Sequence, residues 1–249
     1  MVRRSWLVLA LLLSSCSTAT VSTTPAPSHS APAAAPVMPD SIHWFRNSAE
    51  YRADMFQTYR LAARRLEEVS TTLGGVAWAV SVDADETLID NSTYQKELAE
   101  SGKPHSKEAW AAWVRRKEAK DLPGAAAFLK RVHELGGRVA VVTNRAQSLC
   151  ADTEADLDKY GLVHDVVLCA PEQGSTEKEP RWQQVEQGTT PQGLPPLRLV
   201  MWVGDNIQDF PDLDQKINQG DADAFGDFGV KYFVLPNPMY GSWAANPRQ

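Results

Sequence analysis

The sequence has three cysteines, no glycine-rich nucleotide loop, no basic stripe and no apolar run long enough to cross a bilayer. Each shortage excludes a class of protein. Cys16 lies in the amino-terminal leader, and the remaining two, Cys150 and Cys169, are too few to form a disulfide framework. Pairing in an oxidising compartment and simple burial as small side chains are both open to them. No Cys/His spacing suits a zinc site. The five histidines, His29, His43, His105, His133 and His164, form no ligand or triad pattern and read as surface or helix-end residues. A net charge of −6 argues against a nucleic-acid partner, so an anionic ligand would have to find local cations. There is no internal repeat.

What is present suffices for one α/β domain: 249 residues, 43% of them hydrophobic, can bury a sizeable core. The chain opens on a basic Met1-Val2-Arg3-Arg4, then an apolar run from Trp6 to Leu13, then Leu13-Ser14-Ser15-Cys16. The run has the length of a signal-peptide core rather than a span. The small residues before Cys16 resemble a bacterial lipobox, which makes residues 1–16 a lipoprotein signal and Cys16 the lipidated residue. Residues 17–40, rich in Ser, Thr, Ala and Pro, read as a disordered tether, and 41–249 as the folded domain. The expected location is the bacterial cell envelope, on the outer membrane or facing the periplasm, because Ser17 is not an acidic retention residue.

Periodicity supplies the elements. A helix is predicted from Asn47, where Asn47-x-x-Glu50 offers a capping box and Tyr51, Met55, Tyr59, Ala62, Leu66, Val69 and Leu73 recur at helical spacing. Gly74-Gly75 ends it. Short apolar strands follow at Ala77–Val82, Val139–Val142, Val166–Leu168, Leu197–Val203 and Val230–Leu235. Helices are predicted between them at 94–101, 107–120, 125–135 and 147–160, while 172–196 reads as a loop with one turn near Trp182. The alternation implies right-handed βαβ units: a Rossmann-like, mostly parallel sheet flanked by helices, with a small helical cap inserted after the first strand.

The polar residues collect at strand ends. Asp83 and Asp85 follow the first strand and point the same way in an extended segment. Two such carboxylates repel unless a cation or shared proton intervenes, which predicts a hard metal ion. Thr143-Asn144-Arg145 follows the second strand, Asp205 with Asp209 the fourth, and Lys178 lies in the loop between. In a parallel sheet these ends share one edge, where ligands bind. Acids for a cation, a hydroxyl and an ammonium are what attack on a phosphoryl group needs. Singly, each has a plainer reading: Asp205-x-x-x-Asp209 as a helix cap, Thr143 as a turn residue, Arg145 in an ordinary ion pair, Lys178 in a solvated charge run.

In order, however, these words resemble a family. Asp-x-Asp-x-Thr, the strand-end Thr, the loop Lys and Gly204-Asp205-Asn206-x-x-Asp209 are similar to the haloacid-dehalogenase-like phosphohydrolases. Trp110-x-x-Trp113, Asp85-Glu86-Thr87-Leu88-Ile89-Asp90-Asn91-Ser92 and Leu235-Pro236-Asn237-Pro238-Met239-Tyr240-Gly241 resemble the class C bacterial acid phosphatases, over roughly residues 44–243. The resemblance implies hydrolysis of phosphomonoesters, nucleoside 5′-monophosphates among them, with Mg²⁺ as cofactor. It makes Asp83 the nucleophile and Asp85 the general acid and base, its carbonyl a metal ligand. Thr143 and Lys178 become partners of the phosphoryl group, Asp205 a metal ligand, and Asp209 either a further ligand or a support behind it. Asn144 and Arg145 are expected to contact substrate, and Tyr94, Trp110 and Tyr240 to stack on its organic part, although Trp110 and Trp113 could equally pack the cap. Ala84 departs from the leucine commoner in the family. Two alternatives stand beside this reading: a surface-binding lipoprotein that has retired the chemistry, and a phosphotransferase in which an alcohol replaces water.

Overall fold

A computed structural model describes residues 38–248. The leader with Cys16, and the tether up to residue 37, lie outside the described residues. Helix α1 (Asp40–Asn47) starts at the last tether residue, with an acid in its first turn and Arg46 in its last, as the helix dipole favours. Helix α2 (Ala49–Thr72) follows after a break at Ser48. The capping box expected at Asn47 is not formed. Ser48 Oγ accepts from Tyr51 N at 3.0 Å and caps α2, while Asn47 ends α1 and bonds back to His43 O. Tyr51, Met55, Tyr59, Ala62 and Leu66 form the buried face, and Val69 is half-buried. Each larger apolar side chain here contributes roughly 1.5–3 kcal/mol by leaving water. Tyr59 also donates to Thr87 O at 2.6 Å, so this helix steadies the loop that follows the first strand.

Strand β1 (Trp78–Val82) is the centre of a five-stranded sheet and is buried throughout. After it come the two-residue β2 (Ile89–Asp90), α3 (Ser92–Ser101), α4 (Lys107–Arg116) and the two-residue β3 (Lys120–Asp121). Then α5 (Ala125–Glu134), β4 (Arg138–Ala146), α6 (Cys150–Lys159), β5 (Val166–Ala170), α7 (Glu179–Gln187), β6 (Arg198–Gly204) and β7 (Tyr232–Val234) complete the chain order. The sheet order is β5-β4-β1-β6-β7, every pairing parallel. Val80, Val82, Val139 and Val141 face one core, with α2, α5 and α6; Ala79, Ala140 and Val142 face the other, with α7. This is the two-faced burial that makes parallel strands read as unbroken apolar runs. Ser81, the polar exception in β1, accepts a 2.8 Å bond from Trp182 Nε1.

Three expectations change. The helix predicted over 107–120 ends at Arg116, because Lys117 turns left-handed, pairs with Asp152 at 2.6 Å and accepts at its carbonyl from Lys159. Its last residue, Lys120, instead opens β3, antiparallel to β2, a ribbon that closes the base of the cap. The loop over 172–196 contains the nine-residue α7, with Pro180 in its first turn and left-handed Gly188 ending it. Its apolar inner face is small, Trp182 and Val185, which hid it among polar neighbours. Cys150 and Cys169, left open above, form a disulfide that ties the start of α6 to β5.

Candidate active site

The carboxyl edge of the sheet carries the site. β1 runs into Asp83, whose N–H bonds Val203 O at 2.9 Å, and the chain then coils tightly. Ala84 O accepts from both Leu88 N and Ile89 N, and Glu86 sits at φ +53°. That left-handed residue is strained for a side chain larger than glycine. It is held because the buried Glu86 carboxylate accepts from Asn91 N at 2.7 Å. β4 breaks register with β5 between Val142 and Ala146, and this irregularity presents Thr143, Asn144 and Arg145. At the end of β6, a Cβ at Gly204 would collide with the Asp209 carboxylate, so the glycine admits that side chain.

Three carboxylates converge. Single oxygens of Asp83, Asp205 and Asp209 lie within 4.8 Å of one another. Lys178 Nζ stands 2.5 Å from Asp83 Oδ1 and 2.7 Å from Asp209 Oδ1. Its neighbours Glu177 and Glu179 are exposed, yet Lys178 is buried, so the solvated-run reading fails for it. Asp209 does cap its turn, accepting from Asn206 N at 2.8 Å through Oδ2, while Oδ1 joins the cluster. Asp205 accepts from Asn237 Nδ2 at 2.8 Å.

A profile of the HAD superfamily, subfamily IIIB (acid phosphatase), matches residues 10–243. The chain belongs to that family. Its structure is similar to that of the class C acid phosphatase from Bacillus anthracis, with a TM-score of 0.72, 28% identity, and coverage of 82% of this chain and 85% of that one. The tungstate-bound structure of the same enzyme matches over the same shares at TM-score 0.74. The protein is thus a phosphomonoesterase, and the fold expected of the HAD-like class C enzymes is the fold found.

The electrostatics of the cluster follow from three acids sharing one ammonium. Burial raises the Asp83 carboxyl most, Lys178 pulls against it, Asp209 and Asp85 push it up again, and the balance leaves it at about 7. Asp205 is driven well above the usual carboxylate range by burial, then by Asp209 and Asp83. Burial works to lower the Lys178 ammonium, but Asp209 and Asp83 outweigh it and the group is raised. A set of buried carboxylate oxygens short of positive charge fits a hard divalent cation.

A cavity of about 400 Å³ opens over the cluster, and Asp83, Asp85, Asn144, Arg145, Asp205, Asp209 and Tyr240 all line it. Thr143 and Lys178 are buried beneath, and Lys178 reaches a neighbouring cavity instead. Thr143 Oγ1 accepts from Arg145 N. Arg145 is fully buried and paired with Asp85: Nη2 lies 2.7 Å and Nε 3.0 Å from Oδ1. Tyr94 is buried behind the cavity wall, its hydroxyl bonded to His105 Nδ1 and its ring packed on Trp110 and Trp113. The aromatic surfaces at the cavity are therefore Trp110, His105 and Tyr240, a revision of the contact expected of Tyr94 and of the plain role given to His105.

Sequence reasoning also passed over Arg181, Asn91 and Asn237. Arg181 donates to Thr143 O, to Asn144 Oδ1 at 2.7 Å and to Thr176 O at 2.7 Å, joining the β4 end to the segment that carries Lys178. Asn237 stood inside a recognised word, and its place at a strand end was an available signal. Nothing in the local sequence marks Arg181.

Proposed function

We propose that this acid phosphatase is Mg²⁺-dependent, works through an aspartyl-phosphate on Asp83 and acts on phosphomonoesters that include nucleoside 5′-monophosphates. The convergence of Asp83, Asp205 and Asp209 around a single ammonium carries the reading. An Asp83 oxygen attacks phosphorus as the ester P–O bond breaks, and Asp85 gives the leaving oxygen its proton. Water then attacks the phosphoryl group, returns a proton to Asp85, and the bond from phosphorus to Asp83 breaks to release phosphate. Thr143 and Lys178 orient and offset the phosphoryl oxygens. Asp83, Asp205, Asp209 and the Asp85 carbonyl would hold Mg²⁺, which when bound neutralises charge on the transferring group. Asn144, Arg145, Trp110, His105 and Tyr240 border the space for the organic part, and Tyr94 backs that wall.

The chain is further proposed to be anchored through a lipid on Cys16 to the bacterial envelope, where scavenging phosphate from small esters suits an exported hydrolase; a nucleic-acid partner is not part of this reading. The decisive experiment follows 4-nitrophenyl phosphate hydrolysis by the full chain with Mg²⁺, with chelator, and in Asp83→Asn. Activity that needs the metal and collapses in the variant is expected; activity indifferent to both would refute the mechanism. Since tungstate binds the Bacillus anthracis relative, and tungstate resembles phosphate in shape and charge, competitive inhibition by tungstate is expected too.

A further inference from the structure

Asn91 is wholly buried, and its side chain joins the helical cap to Asp85. Its Oδ1 accepts from Trp113 Nε1 on α4 at 2.7 Å and from Arg145 Nη2 at 3.2 Å. An indole N–H and a guanidinium are donors only, so the amide has one possible orientation: oxygen toward them, nitrogen away. The nitrogen then donates to Asp85 Oδ1 at 2.8 Å and to Glu86 Oε2 at 3.3 Å. Arg145 adds Nη2 at 2.7 Å and Nε at 3.0 Å to the same Oδ1. Three donors therefore saturate Oδ1. Oδ2 has a single, longer contact, from Arg145 Nε at 3.2 Å, and Asp85 lines the cavity.

We propose that Asn91 is a positioning residue which, oriented by Trp113 of the cap, fixes the Asp85 carboxyl so that Oδ2 faces the substrate and delivers the proton to the leaving oxygen. This rests on the reading of Asp85 as the general acid. A rotamer held from two sides aims the carboxyl at the scissile oxygen before substrate arrives, and small errors of aim are costly in proton transfer. The cap thereby contributes to chemistry as well as to the shape of the cavity.

The consequence is selective. An ester of a good leaving group departs with little proton assistance, whereas an alkyl phosphate depends on it. The experiment compares kcat/KM, which reports the leaving-group step, for 4-nitrophenyl phosphate and glycerol 2-phosphate in the full chain and in Asn91→Ala, Trp113→Phe and Asp85→Asn. Trp113→Phe removes the donor while keeping a buried aromatic, so it serves if Asn91→Ala folds poorly. Asp85→Asn is expected to lose roughly 10²–10⁴-fold on the alkyl ester and much less on the aryl one. Asn91→Ala and Trp113→Phe should reproduce that selectivity at about tenfold or more. Equal losses on both esters in these two variants, beside a selective Asp85→Asn, would overturn the positioning role alone. An unselective Asp85→Asn would overturn the acid assignment and this proposal with it.

Discussion

Replacing Lys178 by methionine keeps the side-chain volume and deletes the ammonium that lies 2.5 Å from Asp83 and 2.7 Å from Asp209. Both carboxylates are buried, so the variant leaves them facing each other with no compensating charge. Removing one partner of a buried ion pair costs about 3–5 kcal/mol. For a domain of this size, each kcal/mol moves the melting point by about 2–4 °C, giving a fall of roughly 6–20 °C. The cost depends on pH. Asp83 is already raised to about 7 in the intact site, and without Lys178 it rises further. A carboxyl raised on folding contributes stability at low pH and loses it as pH rises through the folded value. At pH 5 the variant's Asp83 carries a proton, and the loss should lie near or below the low end of the range. At pH 8 the loss in chelated protein should exceed that at pH 5, and Mg²⁺ should narrow the gap by supplying the missing positive charge. Thermal melts at both pH values, with chelator and with Mg²⁺, test this. An equal loss at pH 5 and pH 8 that Mg²⁺ leaves untouched would refute the account of the ammonium as charge compensator.

Asp83→Asn should lower kcat by more than about a thousandfold and abolish the acid-stable phosphorylated protein that rapid quenching of the wild type is expected to trap. Tyr240→Ala should raise KM for aryl and nucleoside phosphates several-fold, with little change for a small alkyl ester; unchanged constants for nucleotides would remove Tyr240 from the binding surface. Cys150→Ser with Cys169→Ser opens a cross-link between residues 19 apart in sequence, which should cost about 3 kcal/mol and lower the melting point by roughly 6–12 °C. A melt insensitive to both this change and reductant would show that the bridge does not form.

The core was legible because its signals are local. β1 reads from an unbroken apolar run bounded by Gly74-Gly75, the α2 face from spacings of three and four, and Asp83/Asp85 from their place at a strand end. What stayed hidden depends on contacts between distant segments. Arg145 pairs with a carboxylate 60 positions away, and Arg181 reaches Thr143 across 38. α7 buries only three side chains, Arg181, Trp182 and Val185, too few to set a period. The β2–β3 ribbon is two residues on each side, shorter than any alternation can reveal. Lys178 misleads for the opposite reason: its neighbours advertise solvent while the fold draws it inward.

That ribbon has a consequence for how such enzymes diversify. Ile89 lies opposite Asp121 and Asp90 opposite Lys120, so the cap enters and leaves the sheet domain at a single pair of adjacent points. A segment of another length could be spliced there without displacing β1 or β4, letting substrate range drift while the hydrolytic edge is inherited intact. On the side facing Asp85 the freedom is bounded by the bond from Trp113 to Asn91. A grafted cap lacking a donor at that place should yield a hybrid that cleaves activated aryl esters and stalls on ordinary alkyl ones.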